Sequence, residues 1–427
     1  MLTRRNLVKS ITAGAAWAAT GAHAQSRALT YVGWSHDEAA SKPTLTAMFD
    51  AFRKSNPDVK LDVVGFPWAQ MQQNILLRLR SGQALDVVQL AERWLPQFAG
   101  TNRMVDLNEV YGKGYLSRQM NPGLLTLGDY KGKQLGLPWT AGSIAIVGNR
   151  AVMQEAGVNR VPKTIDEFVE ALRTIKKAKP QSVPYAMTTK NNNSLSPDFQ
   201  VWLWTFGGEL LDDKGQVMVQ SPAAVRALTF MADMVKEGLA AKDIDRPDAR
   251  RMFAQNQTAF YHDAPLARGF ARNNSGKGTE FDRFVVAVPT PVLKNGDPPR
   301  SLAWGHLLTF FGDGKSIPSQ QSLQAQFAAH LAMNDASQLA YFNSQGLFPV
   351  TNSALAQLKN DAYVSEWSAT ARSALRDEPS FWPNSADLTT IVGEEVQSAL
   401  LALKSPQAAI DSMAKRLQAK MAELPKT

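Results

Sequence analysis

The chain has 427 residues, 44% of them hydrophobic and 20% charged, with a formal net charge of +8 and no cysteine. Without a thiol there is no disulfide, no Cys-ligated zinc or iron–sulfur cluster, no thiol nucleophile and no lipobox-type lipid anchor. The length allows two or more lobes with a real core, and after the first 24 residues no apolar run is long enough to span a bilayer.

Met1–Ala24 reads as an export leader. It has a basic start (Arg4, Arg5, Lys9), an Ala-rich stretch from about Ile11 to Ala19, and a small-x-small site at Ala22-His23-Ala24. Thr3-Arg4-Arg5-Asn6-Leu7-Val8-Lys9 closely resembles a twin-arginine (Tat) motif, although Sec leaders share the basic start. Cleavage would leave 403 residues from Gln25, with a net charge of +5 once the three basic residues of the leader are gone. The expected species is soluble and periplasmic. Its densest basic group, Arg173, Lys176, Lys177 and Lys179, falls at a helix end, where cations suit the helix dipole, so nucleic acid is not an expected partner.

Leu29–Trp34 reads as a strand, followed by the polar loop Ser35–Glu38. A helix from about Pro43 to Lys54 carries Leu45, Met48, Phe49 and Phe52 on one face. Lys60–Val64 is a second strand, Ala69–Arg80 a second helix with Met71, Ile75, Leu76 and Leu79 inward, and Leu85–Leu90 a third strand. Strand–helix–strand–helix–strand at this spacing predicts parallel pairing, with ligands at the carboxyl ends of the strands. The loops there hold Trp34–Glu38, Phe66–Trp68 and Glu92–Trp94.

Phe49-x-x-Phe52-x-x-x-x-Pro57-x-Val59-x-Leu61 and Ser81-Gly82-x-x-x-Asp86-Val87-Val88, in this order and spacing, resemble the early segment of bacterial extracellular solute-binding proteins. The branch is the one similar to maltose-binding protein, which serves ATP-driven importers of sugars and polyols. Further phrases extend the resemblance over essentially the whole mature chain. They are Pro162-Lys163-Thr164-Ile165-Asp166-Glu167-Phe168, the run from Trp204 to Gly238, Phe253–Tyr261, Leu302-Ala303-Trp304-Gly305 and Gly346–Val350. Two positions depart from the family pattern. The usual Gly-Lys before Ala259 is absent, and Trp304 stands where the first of two glycines is usual.

Leu135–Arg150 contains a strand ending at Leu137-Pro138-Trp139, the small residues Thr140–Ser143, and a second β-branched strand at Ile144–Val147. It reads as a crossing between two lobes, with Gly142 free to absorb a dihedral change, or as a buried ribbon within one domain. Thr164 and Glu167 make a capping box for a helix carrying Phe168, Leu172 and Ile175. Pro184–Met187 suggests a strand, Pro197-Asp198-Phe199 begins a helix, and Ser221-Pro222 opens another with Val225, Leu228, Ala232 and Val235 inward. Phe284–Pro289 is a strand and Ser319–Met333 a helix. Two closing helices cover about Ala386–Leu403 and Pro406–Leu424.

The resemblance implies an α/β, two-lobe periplasmic-binding-protein fold with a hinge of three chain crossings, near 140–144, 290–303 and 343–350. Residues 25–140 and 304–343 would form lobe one, and 144–290 and 350–427 lobe two. It implies a monomer that binds a sugar or oligosaccharide, needs no cofactor or metal, and docks on the transmembrane permease subunits of an ABC importer. Glycerol 3-phosphate or another polyol phosphate is the nearest alternative ligand. Service to a sensor rather than a transporter also stays open.

Sugar recognition takes flat aromatic faces for the C–H surface and planar polar groups for the hydroxyls. The candidates are Trp34, His36, Asp37, Trp68, Glu92, Arg93, Trp139, Asp198, Tyr261, Asp263, Trp304 and Trp382. Each tryptophan could instead pack in a core, Glu92 and Asp263 could be salt-bridge or cap residues, Arg93 could pin the Glu92 loop, and His36 could be solvated. A secreted glycoside hydrolase or lyase is the alternative of another class, since carboxylate pairs are available. Against an enzyme, no Gly-x-Ser-x-Gly or His-Glu-x-x-His occurs, and Gly312–Ser316 fails as a phosphate loop because Thr309 stands where its first Gly should be.

Overall fold

The computed structural model describes residues 27–192, 194–313 and 316–424. The leader, its cleavage site and two residues of the phosphate-loop-like segment (314 and 315) lie outside them.

Strands β1 (Arg27–Gly33), β2 (Val59–Gly65) and β3 (Val87–Ala91) alternate with helices α1 (Lys42–Ser55) and α2 (Trp68–Ser81). β1 pairs in parallel with both β2 and β3, as the strand–helix rhythm predicts. The expected inward residues of α1 are all buried. On α2, Met71 and Ile75 are buried while Leu76 and Leu79 are only partly covered.

The Leu135–Arg150 region differs from the two short strands expected. It holds one continuous strand, β4 (Leu137–Asn149), with an irregularity between Pro138 and Thr140. Gly142 therefore makes no turn. It pairs with Trp304, and a Cβ there would sit 2.8 Å from Pro265 Cδ, so the residue is small to let Pro265 approach. The first part of β4, Leu137 to Ile144, pairs antiparallel with β7 (Ser301–Thr309). Its last part lies between β5 (Phe260–Asp263) and β6 (Val285–Val288). β7 also pairs antiparallel with β3, and a short β8 (Ala374–Leu375) adds to β7. One sheet, ordered β2-β1-β3-β7-β4-β5, thus runs through both lobes.

Helix α3 (Ile165–Ala178) starts at the Thr164/Glu167 capping box, with both reciprocal hydrogen bonds formed. Pro184–Met187 is no strand. It makes a single bridge, Tyr185 to Phe260, and donates Ala186 N–H to the Phe260 carbonyl at 2.8 Å. Helix α4 (Leu195–Thr205) is buried nearly all round. On α5 (Pro222–Lys236), capped by Ser221, the buried face is turned from the expected one: Ala224, Ala227, Leu228, Met231 and Met234 are covered. Two helices that the apolar periodicity does not announce follow, α6 (Arg246–Ala254) and α7 (Ala267–Ser275). Next come α8 (Leu323–Ala332), shorter than expected because Ser322 caps it, and α9 (Asp335–Gln345). α10 (Ala362–Ala371), α11 (Ser385–Leu400) and α12 (Pro406–Ala422) are the last of the longer helices.

The cores divide with the sheet. One joins Tyr31, Phe49, Phe98, Trp139, Phe327 and Tyr341 around β1–β3, β7 and the start of β4. Beyond Ile144 the side chains of β4 alternate faces. Ile146 enters a core with Phe168, Trp202, Val392 and Ile410, whereas Ala145 and Val147 enter another with Phe253, Tyr261, Phe281 and Trp367.

Candidate functional site

The parallel strands β1, β2 and β3 point their carboxyl ends the same way. The loops beyond them bring Trp34, Asp37, Glu38, Pro67, Trp68 and Arg93 to one cavity of about 390 Å³. From β7 come Trp304 and His306, two residues apart and so on one strand face. The opposite side adds Asn192, Ser194, the cap and first turns of α6 (Asp245, Arg246, Pro247, Arg250), Asp263 at the end of β5, and Leu266 beyond it.

The first-lobe side is an aromatic cluster. Trp34 meets Trp68 edge-on at 4.8 Å between centroids and His306 at 4.7 Å, and Trp304 meets His306 at 4.3 Å. The Arg93 guanidinium lies 5.2 Å from the centre of the Trp68 ring. Asp37 folds across the end of β2, where Gly65 leaves the room: a Cβ at that position would meet its carboxylate.

The second-lobe side is a guanidinium–carboxylate network. Arg250 holds Asp263 in a two-point contact, Nε to Oδ2 at 2.7 Å and Nη2 to Oδ1 at 3.0 Å. Arg246 donates to Asp198 at 2.5 Å and lies 3.8 Å from Asp263. Asp198 also accepts from Thr188 at 2.6 Å. Burial pulls the Arg250 proton affinity down, but Asp263 outweighs it and holds the group above its ordinary value. Glu38 belongs to the first lobe. Burial pushes it up to about 7, with Arg250 opposing and Asp263 assisting. In all, four carboxylates (Asp37, Glu38, Asp245, Asp263) and three guanidiniums (Arg93, Arg246, Arg250) line the cavity.

Of the sequence candidates, Trp34, Asp37, Trp68, Arg93, Asp263 and Trp304 line the cavity. Glu92 and Asp198 stand behind it. Glu92 accepts the Gly305 N–H at 2.9 Å and so holds β7, while Asp198 anchors Arg246. Burial raises Glu92 above the usual carboxylate range, against the pull of Arg93. The other four are engaged elsewhere. His36 packs on Tyr31, Trp139 stacks flat on Tyr341 (5.0 Å, 15°), and Tyr261 packs on Phe253. Trp382 lies over Gly215 against the core of the second lobe.

Sequence reading missed Glu38, Arg246, Arg250 and His306. The α6 residues had one signal, the Asp245/Asp248 capping box with Pro247. His306 had another, its two-residue spacing from Trp304. Among the described residues, no group of three His, Asp or Glu side chains is placed to hold a metal ion, and no helix is long and apolar enough to cross a membrane.

A family model described as bacterial extracellular solute-binding protein matches residues 47–371. Diacetylchitobiose binding protein DasA of Streptomyces coelicolor is 24% identical over 316 residues, covering 72% of this chain and 70% of its own. Two solved structures superpose with a TM-score of 0.80. The GacH receptor of Streptomyces glaucescens, solved unliganded and with acarbose, is 19% identical and covers 93% of this chain and 100% of its own. Maltose-bound MalE3 of T. maritima is 22% identical and covers 92% of this chain and 99% of its own. These two likenesses establish the two-lobe fold.

Proposed function

The chain belongs to the bacterial extracellular solute-binding protein family, and on that premise we propose that it takes a sugar or oligosaccharide into the cavity between its lobes and presents it to the permease of an ABC importer. The observation that carries this reading is the facing of two surfaces. Three tryptophans stand on one side, beside Asp37, Glu38 and Arg93, and the paired guanidiniums and carboxylate of Arg246, Arg250 and Asp263 on the other. A pyranose offers both complements, an apolar C–H face and a rim of hydroxyls. The ligands named for the relatives, diacetylchitobiose, maltose and acarbose, are carbohydrates, which supports the class.

A polyol phosphate fits less well. Its negative charge would meet four carboxylates, with Arg246 and Arg250 already engaged by Asp198 and Asp263. The proposed lobes are 25–140 with 304–343 and 144–290 with 350–427, a division supported by most of the core membership, although Val201, Trp204, Ala264 and Leu266 pack into the first-lobe core and Phe342 into one of the second. Ligand touching both lobes shifts the protein toward the closed form that docks on the permease. Periplasmic delivery through the Tat-like leader and a monomeric state complete the reading.

A thermal-shift screen of residues 25–427 against mono- and disaccharides, sugar alcohols and glycerol phosphates tests it. A ligand at 1,000 times its dissociation constant adds about 4 kcal/mol to the folded state. A sugar that raises the melting temperature and is recovered unchanged is the expected result. Response to glycerol phosphates alone, or cleavage of the sugar, overturns it.

A further inference from the structure

His306 is 2% exposed, yet it belongs to the cavity lining, and the proposed sugar reading gives it no role. Its tautomer can be deduced from its neighbours. The side-chain oxygen of Gln89 lies 3.2 Å from each of three donors, the backbone N–H of Trp34, the backbone N–H of Ser35 and the Tyr31 hydroxyl. A backbone N–H can only donate, so the amide cannot be turned the other way. Its NH₂ group therefore faces Ser35 Oγ at 2.7 Å and His306 Nδ1 at 3.1 Å. Nδ1 must offer a lone pair to that donor, which leaves the ring proton on Nε2. Nε2 is buried and has no protein partner.

Burial, with Arg93 and Arg250 adding to it, holds the ring well below its ordinary proton affinity. A buried N–H without an acceptor is costly, and native proteins leave few of them. The imidazole packs against three indoles, Trp34, Trp304 and Trp139, with centroids at 4.7, 4.3 and 6.1 Å, of which Trp34 and Trp304 also line the cavity.

We propose that His306 is a specificity-determining residue: locked by Gln89 in the Nε2–H tautomer, it reserves one donor for a hydroxyl of a neutral sugar. This rests on the carbohydrate reading and adds to it. An anionic group at that place would gain no ion pair from the ring, because a second proton would have to sit on Nδ1, against the Gln89 NH₂. The lock therefore favours neutral sugars over uronic or phosphorylated ones at this point of the cavity.

The test is calorimetric titration with maltose, cellobiose and diacetylchitobiose, then with the monodeoxy series of whichever binds, on the wild type and on His306→Phe. In the wild type, one deoxy position should weaken binding about tenfold, the worth of one hydrogen bond. His306→Phe should lose a similar factor with the parent sugar and nothing further with that deoxy analogue. Losses that multiply instead overturn the proposal and leave the carbohydrate reading intact. Failure of all three sugars to bind the wild type overturns both. Should His306→Phe misfold, spectra of ¹⁵N-histidine-labelled wild type decide. An Nε2–H ring whose Nε2 resonance moves when the sugar binds is the expected result. A doubly protonated or Nδ1–H ring, or an unmoved resonance, overturns it.

Discussion

All three tryptophans in the cavity stand on the side built from the β1–β3 loops and β7, and the opposite side, built from α6 and the end of β5, contributes no aromatic lining residue. That opposite side supplies a charge network whose members already hold one another. Arg246 is tied to Asp198, and Arg250 to Asp263. One wall is an aromatic cluster in which Trp34 and Trp304 are buried and Trp68 is half-buried, and the other is a polar scaffold whose groups are oriented before any ligand arrives. Such pre-orientation lowers the entropy lost on binding. The two walls should therefore fail differently when damaged.

The largest expected effect is in the scaffold. Asp263→Ala leaves two buried guanidiniums short of their shared carboxylate, and breaking a buried pair costs about 3–5 kcal/mol. Urea unfolding of the free protein should show it. A loss of affinity with stability untouched would erase the contrast between the walls.

A graded effect comes from pH, with opposite sign on the two sides. Glu38 is pushed up from 4.5 to about 7, so its contribution to stability is present below 4.5 and fades as pH rises through 7. His262, behind the second wall, is pulled from 6.5 to about 4 by burial, so its contribution is present above 6.5 and fades as pH falls through 4. Melting temperatures from pH 4 to 8 should thus change slope in opposite senses for Glu38→Gln and His262→Gln. Equal slopes would show that neither group titrates differently on folding.

Trp68→Ala, at a half-buried ring, should weaken sugar binding by about 1 kcal/mol with little change in melting temperature. Calorimetry beside a thermal melt separates the two quantities, and a large melting shift would make Trp68 a core residue. The smallest effect expected is that of Glu92→Gln. Its amide oxygen can still accept the Gly305 N–H, so stability should fall by less than about 1 kcal/mol and affinity only slightly. A pronounced affinity loss would place the Glu92 charge at the ligand.

The first wall was legible in the sequence because it follows from local rules. Alternating strands and helices place Trp34, Trp68 and Arg93 in the loops at strand ends, where open parallel sheets bind ligands. Of the second wall only Asp263 was legible, because α6 announces itself poorly. Its apolar residues make no long stripe, and it is held by partners distant in the chain, Arg246 by Asp198 and Arg250 by Asp263. Trp139 and Trp382 show the converse limit. Both are candidates for sugar contact by residue type, but Tyr341 covers one and the other fills the space over Gly215. Residue type marks a surface for stacking without telling which neighbour will take it. The β4 crossing was visible as a crossing but not as one unbroken strand, because its pairing depends on β5, β6 and β7, more than a hundred residues later.

That late pairing also sets an order in time. β7 is the plank between β3 and β4. A chain emerging from the ribosome has made β1–β4 by residue 149, yet β7 begins only at residue 301. Until then the facing edges of β3 and β4 lack their shared partner, a state prone to wrong pairing. Strands β4, β5 and β6 are all present by residue 288. The part of the sheet that is synthesised first thus closes last, and its completion is a slow, long-range event.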